Sequence, residues 1–372
     1  MPDILPGFEQ LTLDLAPDHE GPVVASLVRR AADHPSTRAT PVPDSGVDVL
    51  YIHGWNDYFF QVHLAEFWES QGTRFHALDL RKYGRSLRRH QIPGYITQLD
   101  TYDEEIGAAL EVMGHPAPTT ASASASSTVA AHATLTANAA DQPPAASAAD
   151  IAQDQSRKQP TATPHSHPGE TAEDISSRRP DPHRRKLLLM GHSTGGLTIS
   201  LWVSTHPGYA DAVVLNAPWL EFQTRFVGRR LLEPGVRVHA ALAPRSRMLN
   251  LDLGLYTRAI SSRFDGEWDY DPDLRSDTGW SPTPAWLAAI LQGHETVARG
   301  LGITVPVLVL LSSTSTPPVL WSEDSLRTDT VLDVAGVARR CADLGNHVTI
   351  VRIEGALHDV TLSTAPVPRV LF

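Results

Sequence analysis

Four consecutive apolar residues, Leu187 to Met190, run straight into Gly191-His192-Ser193-Thr194-Gly195-Gly196, and a helix-length stretch follows to about Thr205. A short apolar run of this kind reads as a strand buried on both faces, and His206-Pro207-Gly208 supplies the stop for the helix after it. Joining the two needs a sharp turn, and the glycines two positions either side of Ser193 let the backbone make it. A buried strand that passes directly into a helix asks for a parallel neighbour and a crossover connection. The rest of the chain supplies both. Phe8 to Leu15 and Val23 to Arg30, with a turn over Asp18 to Pro22, read as an opening antiparallel hairpin. Strands are expected at Val47 to Ile52, Arg74 to Leu80, Val213 to Leu215, Val307 to Leu311 and Val348 to Ile353. Helices are expected over Tyr58 to Gln71, Tyr102 to Val112 and Val334 to Leu344. The fold class is α/β, a mostly parallel twisted sheet flanked by helices.

Two segments break the pattern. From His115 to Arg185 the chain is Ala, Ser, Thr and Pro, then charged and Pro-rich, with almost no large apolar residues. Such a run cannot bury enough surface to offset its ordering entropy, and roughly 70 structureless residues far exceed a normal loop. Residues 115–185 are therefore expected to form a disordered insertion between a first core part, 1–114, and a second, 186–217. Residues 218–300 are irregular and aromatic-rich, with Trp219, Trp268, Trp280 and Trp286, and the core resumes over 301–372.

Composition excludes several partners. A formal net charge of -11 disfavours DNA or RNA. The single cysteine, Cys341, rules out an intramolecular disulfide and a cysteine-based zinc site. The first residues carry no positively charged start followed by an apolar run, and no uncharged apolar stretch is long enough to span a membrane. The expected location is the cytoplasm, with transient contact at a membrane surface left open and the oligomeric state unset. Asp269-Tyr270-Asp271-Pro272-Asp273 fails as a calcium loop, because Leu274 and Trp280 stand where glycine and glutamate are needed. His165, His167 and His183 lack a carboxylate at fixed spacing, and no phosphate-binding fingerprint occurs. No metal or organic cofactor is expected.

The chemistry-bearing residues fall in a definite order. Ser193, in G-x-S-x-G at a strand–turn–helix, is the candidate nucleophile. Asp329, in the polar loop after the Val307 strand, is the candidate acid, with Asp333 better placed to cap the next helix. His358, just past the last strand, is the candidate base. Each lies at the carboxyl end of a strand, where open α/β sheets build their sites. A tetrahedral intermediate would also need backbone N–H donors. Thr194, after the nucleophile, is one candidate and Trp55, after the Val47 strand, the other. Gly54 permits that turn, and His53, which precedes Ser193 in the chain, is assigned to shaping the loop.

With these residues in view, the sequence resembles the α/β-hydrolase superfamily, specifically the serine aminopeptidase-like group that includes monoacylglycerol lipases and lysophospholipases. The resemblance rests on His53-Gly54, on Gly191 to Gly196, on Asp329 to Asp333 and on His358. It also rests on Asp79-Leu80-Arg81-Lys82-Tyr83-Gly84-Arg85-Ser86, where Lys82 replaces the usual glycine. It implies a Ser-His-Asp triad acting through an acyl-enzyme, no cofactor, and a small acyl ester as substrate. It also implies that residues 218–300 form a cap over the pocket. Only Ser363 to Phe372 follow the His358 loop, less than the closing helix the resemblance implies. An aminopeptidase or amidase on the same frame would need an acidic cluster in the cap, for which Glu267, Asp269 and Asp271 are candidates. A silent binding protein and an acyltransferase are the remaining alternatives.

Overall fold

The structure, a computed structural model, describes residues 1–32, 42–115, 184–222, 229–250, 253–316, 320–364 and 367. All of these except Arg184 belong to one unit, Met1–Pro118 with Arg185–Phe372. The expected insertion lies outside the described residues except at its ends.

Eight strands form one sheet. They are β1 (Phe8–Asp18), β2 (Gly21–Arg30), β3 (Val47–Ile52), β4 (Arg74–Asp79), β5 (Lys186–His192), β6 (Ala212–Asn216), β7 (Val307–Ser312) and β8 (Val348–Ile353). Their order is β1-β2-β4-β3-β5-β6-β7-β8. The hairpin β1–β2 is antiparallel and joins β4 antiparallel, and every pairing from β4 to β8 is parallel. The central strands are apolar between their ends because both faces are covered, with polar residues such as Asp48, Lys186 and Asn216 at or near the strand ends. One face packs around Leu50, Ile52, Leu78, Leu189 and Leu215, the other around Val49, Tyr51, Phe75 and Met190. Alternate residues of each strand thus enter opposite cores. No helix among the described residues is long and apolar enough to cross a membrane.

The helices are α1 (Val62–Ser70), α2 (Asp103–Val112), α3 (Thr194–Thr205), α4 (Arg229–Leu242), α5 (Leu255–Ile260), α6 (Pro284–Ala298) and α7 (Val334–Arg340). Helix α1 starts four residues later than the aromatic periodicity implies. Tyr58, Phe59 and Phe60 are buried. The Phe59 N–H donates to Asp79 Oδ1 (2.9 Å), and Tyr58 Oη accepts from the Asp271 N–H (2.8 Å). These long-range bonds hold the run out of the helix. The stretch 218–300 is more helical than its irregular sequence suggests. Helix α6 starts at a side-chain cap, where Thr283 Oγ1 accepts from the Trp286 N–H and Pro284 takes the first helical position.

His115 and Arg185, at the two ends of the expected insertion, both bond to the core. The fully buried Asp48, at the start of β3, accepts from His115 Nε2 (2.9 Å) and Arg185 Nε (2.7 Å) as well as from Arg74. Burial would raise the Asp48 carboxyl, but its bonds to Arg74, His115 and Arg185 hold it well below the usual range. A buried carboxylate at a strand end needs such partners, and the composition of the insertion concealed that these two residues supply them.

Lys82, the departure from the family segment, sits at a left-handed φ of 62° with its side chain fully buried. Its ammonium contacts Asp18 Oδ2 and Glu20 Oε2, both at 2.5 Å, in the β1–β2 turn. The neighbouring Arg81 pairs with Glu104 and Glu105, and Arg85 with Asp3 and Asp79. Three cationic anchors thus fix the loop after β4 against the N-terminal segment, the β1–β2 turn and α2.

Candidate active site

Ser193 stands between β5 and α3 at φ 52°, ψ -114°. Such a conformation costs a non-glycine residue about 1–3 kcal/mol and persists only where its surroundings over-determine it. Here they do. The Ser193 N–H donates to the Asn216 carbonyl (3.0 Å), and the Ser193 carbonyl accepts from Leu197 (3.2 Å) and Trp219 (2.9 Å). A Cβ on Gly195 would stand 2.3 Å from the His53 carbonyl oxygen, so only glycine lets α3 approach the end of β3.

The loop after β3 meets this turn from the other side. A Cβ on Gly54 would lie 3.1 Å from the Ser193 Cβ, which brings His53-Gly54-Trp55 against the serine. His53 Nε2 accepts from the Leu80 N–H (3.1 Å), so its Nδ1, 2.7 Å from the Gly54 carbonyl, is the protonated nitrogen. Burial holds this imidazole below its ordinary pKa. His53 thereby ties the β3 and β4 loops together. The Trp55 and Thr194 N–H groups donate to no acceptor among the described residues, and both residues line the same cavity as Ser193.

Asp329 and His358 come from the loops after β7 and β8. Asp329 is fully buried. Its Oδ1 accepts from the N–H groups of Val331 and Leu332, each at 2.7 Å, and its Oδ2 lies 3.0 Å from His358 Nδ1. Two amides thus orient the carboxylate and leave one oxygen for the imidazole. Asp333, the alternative cap, makes no side-chain cap bond at α7. His358 is nearly buried, and its ring packs edge-on against Tyr256 (5.3 Å) and beside His192 (4.9 Å).

Sequence reasoning missed the supports of this arrangement. Asn216, the last residue of β6, donates from Nδ2 to Asp359 Oδ1 (2.6 Å) and accepts at Oδ1 from the Val360 N–H (3.0 Å). Asp359 is fully buried and also accepts from Thr361 Oγ1 (2.6 Å). Burial would raise the Asp359 carboxyl, but nearby His192 and the bonds from Thr361 and Asn216 hold it low. Burial pushes His192 down to about 4. A polar residue ending an apolar strand, and an acid directly after the histidine, were the available signals.

Ser193, Trp55, Thr194 and His358 open onto one cavity of about 630 Å³. Its walls are largely apolar. Trp55 packs at a tilt against Trp286, ring centres 3.9 Å apart, and meets Trp280 edge-on at 5.8 Å, and Met248, Leu253 and Leu287 continue the lining. Trp268 lies elsewhere, stacked on His63 and bonded to the Leu362 carbonyl. Glu267, Asp269 and Asp271 do not line the cavity. Among the described residues no cluster of three His, Cys, Asp or Glu could hold a metal ion.

The family model described as serine aminopeptidase, S33 matches residues 170–363. A monoacylglycerol lipase from Paleococcus ferrophilus superposes with a TM-score of 0.54 at 16% identity, over 88% of this chain and 92% of that one. A soluble variant of monoglyceride lipase from Saccharomyces cerevisiae, in complex with a substrate analogue, gives 0.56 at 13% identity, over 96% and 91%. At such identities the likeness is one of fold. No curated protein matches the chain. With a family match over more than half its length, the chain belongs to the serine aminopeptidase S33 family and is a hydrolase of the α/β-hydrolase fold.

Proposed function

We propose that the protein hydrolyses carboxylic esters through an acyl-enzyme on Ser193. The observation that carries this reading is the His358–Asp329 hydrogen bond of 3.0 Å, on a histidine that shares its cavity with Ser193. Asp329 accepts at Nδ1 and so keeps the lone pair of His358 on Nε2, the nitrogen that takes the Ser193 proton. Serine Oγ attacks the ester carbonyl, and the Trp55 and Thr194 N–H groups stabilise the oxyanion. The imidazolium then protonates the leaving alcohol. Water, deprotonated by His358, attacks the acyl-enzyme and releases the acid, and Ser193 regains its proton. No metal or organic cofactor takes part.

The apolar walls suit a moderately apolar acyl chain, as in a monoacylglycerol or a lysophospholipid, with residues 218–300 acting as the cap. An aminopeptidase would need an acid facing the substrate's amino group. The cap acids proposed for that role, Glu267, Asp269 and Asp271, lie outside the cavity, and of the acids that line it Asp57 stands beside Arg275, which opposes an ammonium group there. Turnover of p-nitrophenyl esters of increasing chain length, by wild type and by Ser193→Ala, tests the reading. Activity confined to the wild type is expected. A folded wild type that cleaves none of them would overturn it.

A further inference from the structure

The largely apolar cavity is also lined by Asn56 and Asp57 of the loop after β3 and by Arg275 of the segment before α6. Loop and segment are clamped together by Asn56. Its Nδ2 donates to the Ser276 carbonyl (2.8 Å), and its Oδ1 accepts from the Ser276 N–H (3.1 Å). The clamp sets Arg275 beside Asp57, and both side chains line the cavity while remaining more than nine-tenths buried.

Arg275 is poorly used as a structural residue. A guanidinium carries five N–H donors. Among the described residues this one makes a single long hydrogen bond, to Thr257 Oγ1 at 3.4 Å. Its approach to Asp57 is 3.6 Å, beyond ordinary hydrogen-bond range, and Asp57 Oδ1 has no hydrogen-bond partner among the described residues. A pair built to join cap to core would close that gap, and Asn56 already makes the join. The guanidinium is held by aromatic faces instead, 4.6 Å from the Tyr270 ring centre and 5.7 Å from that of Tyr256. The Tyr256 ring in turn packs against His358, so one aromatic ring separates Arg275 from the catalytic histidine of the proposed mechanism.

We propose that Arg275 determines substrate specificity by binding a carboxylate carried by the ester, beside Asp57 in the cavity, while the ester carbonyl lies at Ser193. This rests on the ester-hydrolase reading. The planar fork of arginine matches a carboxylate with two parallel N–H bonds. Asp57 favours the same ligand. Burial pushes its carboxyl up to about 7 against the pull of Arg275, so near neutral pH much of it is protonated and can donate. The site then presents a fixed positive charge beside a carboxyl that is only partly ionised, which suits an anion better than an ammonium group.

The test compares matched esters: p-nitrophenyl hemiadipate against p-nitrophenyl hexanoate for the acyl side, and 3-carboxyphenyl butyrate against phenyl butyrate for the alcohol side. In at least one pair the wild type should prefer the carboxylate, by kcat/KM, by about 30-fold. That ratio should collapse in Arg275→Met and recover in part in Arg275→Lys. A second readout needs no turnover. Adipate should raise the melting temperature of Ser193→Ala but not of Ser193→Ala/Arg275→Met. Neutral esters cleaved as well as or better than their charged partners in both pairs overturns the proposal while leaving the ester-hydrolase reading intact. Adipate binding through Arg275 without turnover of any ester would support the subsite and count against that reading.

Discussion

Asn216 donates a 2.6 Å hydrogen bond to the buried carboxylate of Asp359, and through it the end of β6 holds both the Ser193 turn and the loop bearing His358. Asn216 touches both sides of the proposed machinery without lining the cavity, which makes it a positioning residue. Asn216→Ala should lower kcat by about ten- to a hundredfold with little change in KM, since small misplacements of reacting groups are costly. Steady-state kinetics on one p-nitrophenyl ester, with circular dichroism to confirm folding, separates this from simple unfolding.

Asp329→Asn keeps the shape of the side chain and removes its charge. An amide in this place can present its own N–H to His358 and favour the wrong tautomer. The expected loss in kcat is about 10³- to 10⁴-fold, with the melting temperature little altered. A variant retaining near wild-type kcat would deny Asp329 its role.

Trp286 is nearly buried and packs against Trp55 in the cavity wall. Trp286→Ala should lengthen the preferred acyl chain by opening that wall. It should also cost about 3–5 kcal/mol of stability, as large-to-small core changes do. A chain-length series and a denaturant melt on the same preparation read both effects.

Several histidines are held neutral by burial, and His76 on β4 is the clearest case. Its pKa is pushed from 6.5 down to about 4, and its Nδ1 has no hydrogen-bond partner among the described residues. The unfolded chain therefore binds the extra proton between these two values, and stability must fall as pH drops through that window. At about 1.4 kcal/mol per pKa unit, His76 alone accounts for a loss on the order of 3 kcal/mol from pH 7 to pH 4. His76→Leu should flatten the dependence of melting temperature on pH below 6.5. An unchanged slope would remove His76 from the account.

Much of this architecture was legible in sequence because buried parallel strands are apolar on both faces and so announce themselves. Val47–Ile52 and Val307–Ser312 lie where the apolar runs put them. The strand–turn–helix around Ser193 was readable for the same reason, helped by the glycines that its backbone geometry requires. What could not be read were long-range polar bonds. Nothing local in Tyr58-Phe59-Phe60 reveals that Asp79 and Asp271 withhold the run from α1. Nothing in His115 or Arg185 reveals Asp48 as their partner. Asn216 and Asp359 lie 143 positions apart, and only the fold makes them neighbours. Lys82 was visible as a departure, yet its reason lay in Asp18 and Glu20 of the opening hairpin.

The central claim is that Ser193 is a nucleophile activated by His358. The most direct measurement is covalent labelling with a fluorophosphonate probe, followed by peptide mass spectrometry. One adduct per chain, on the peptide containing Ser193, is the predicted result, absent in Ser193→Ala and strongly slowed in His358→Ala. A folded wild type that takes up no probe, or takes it up at another residue, would contradict the account.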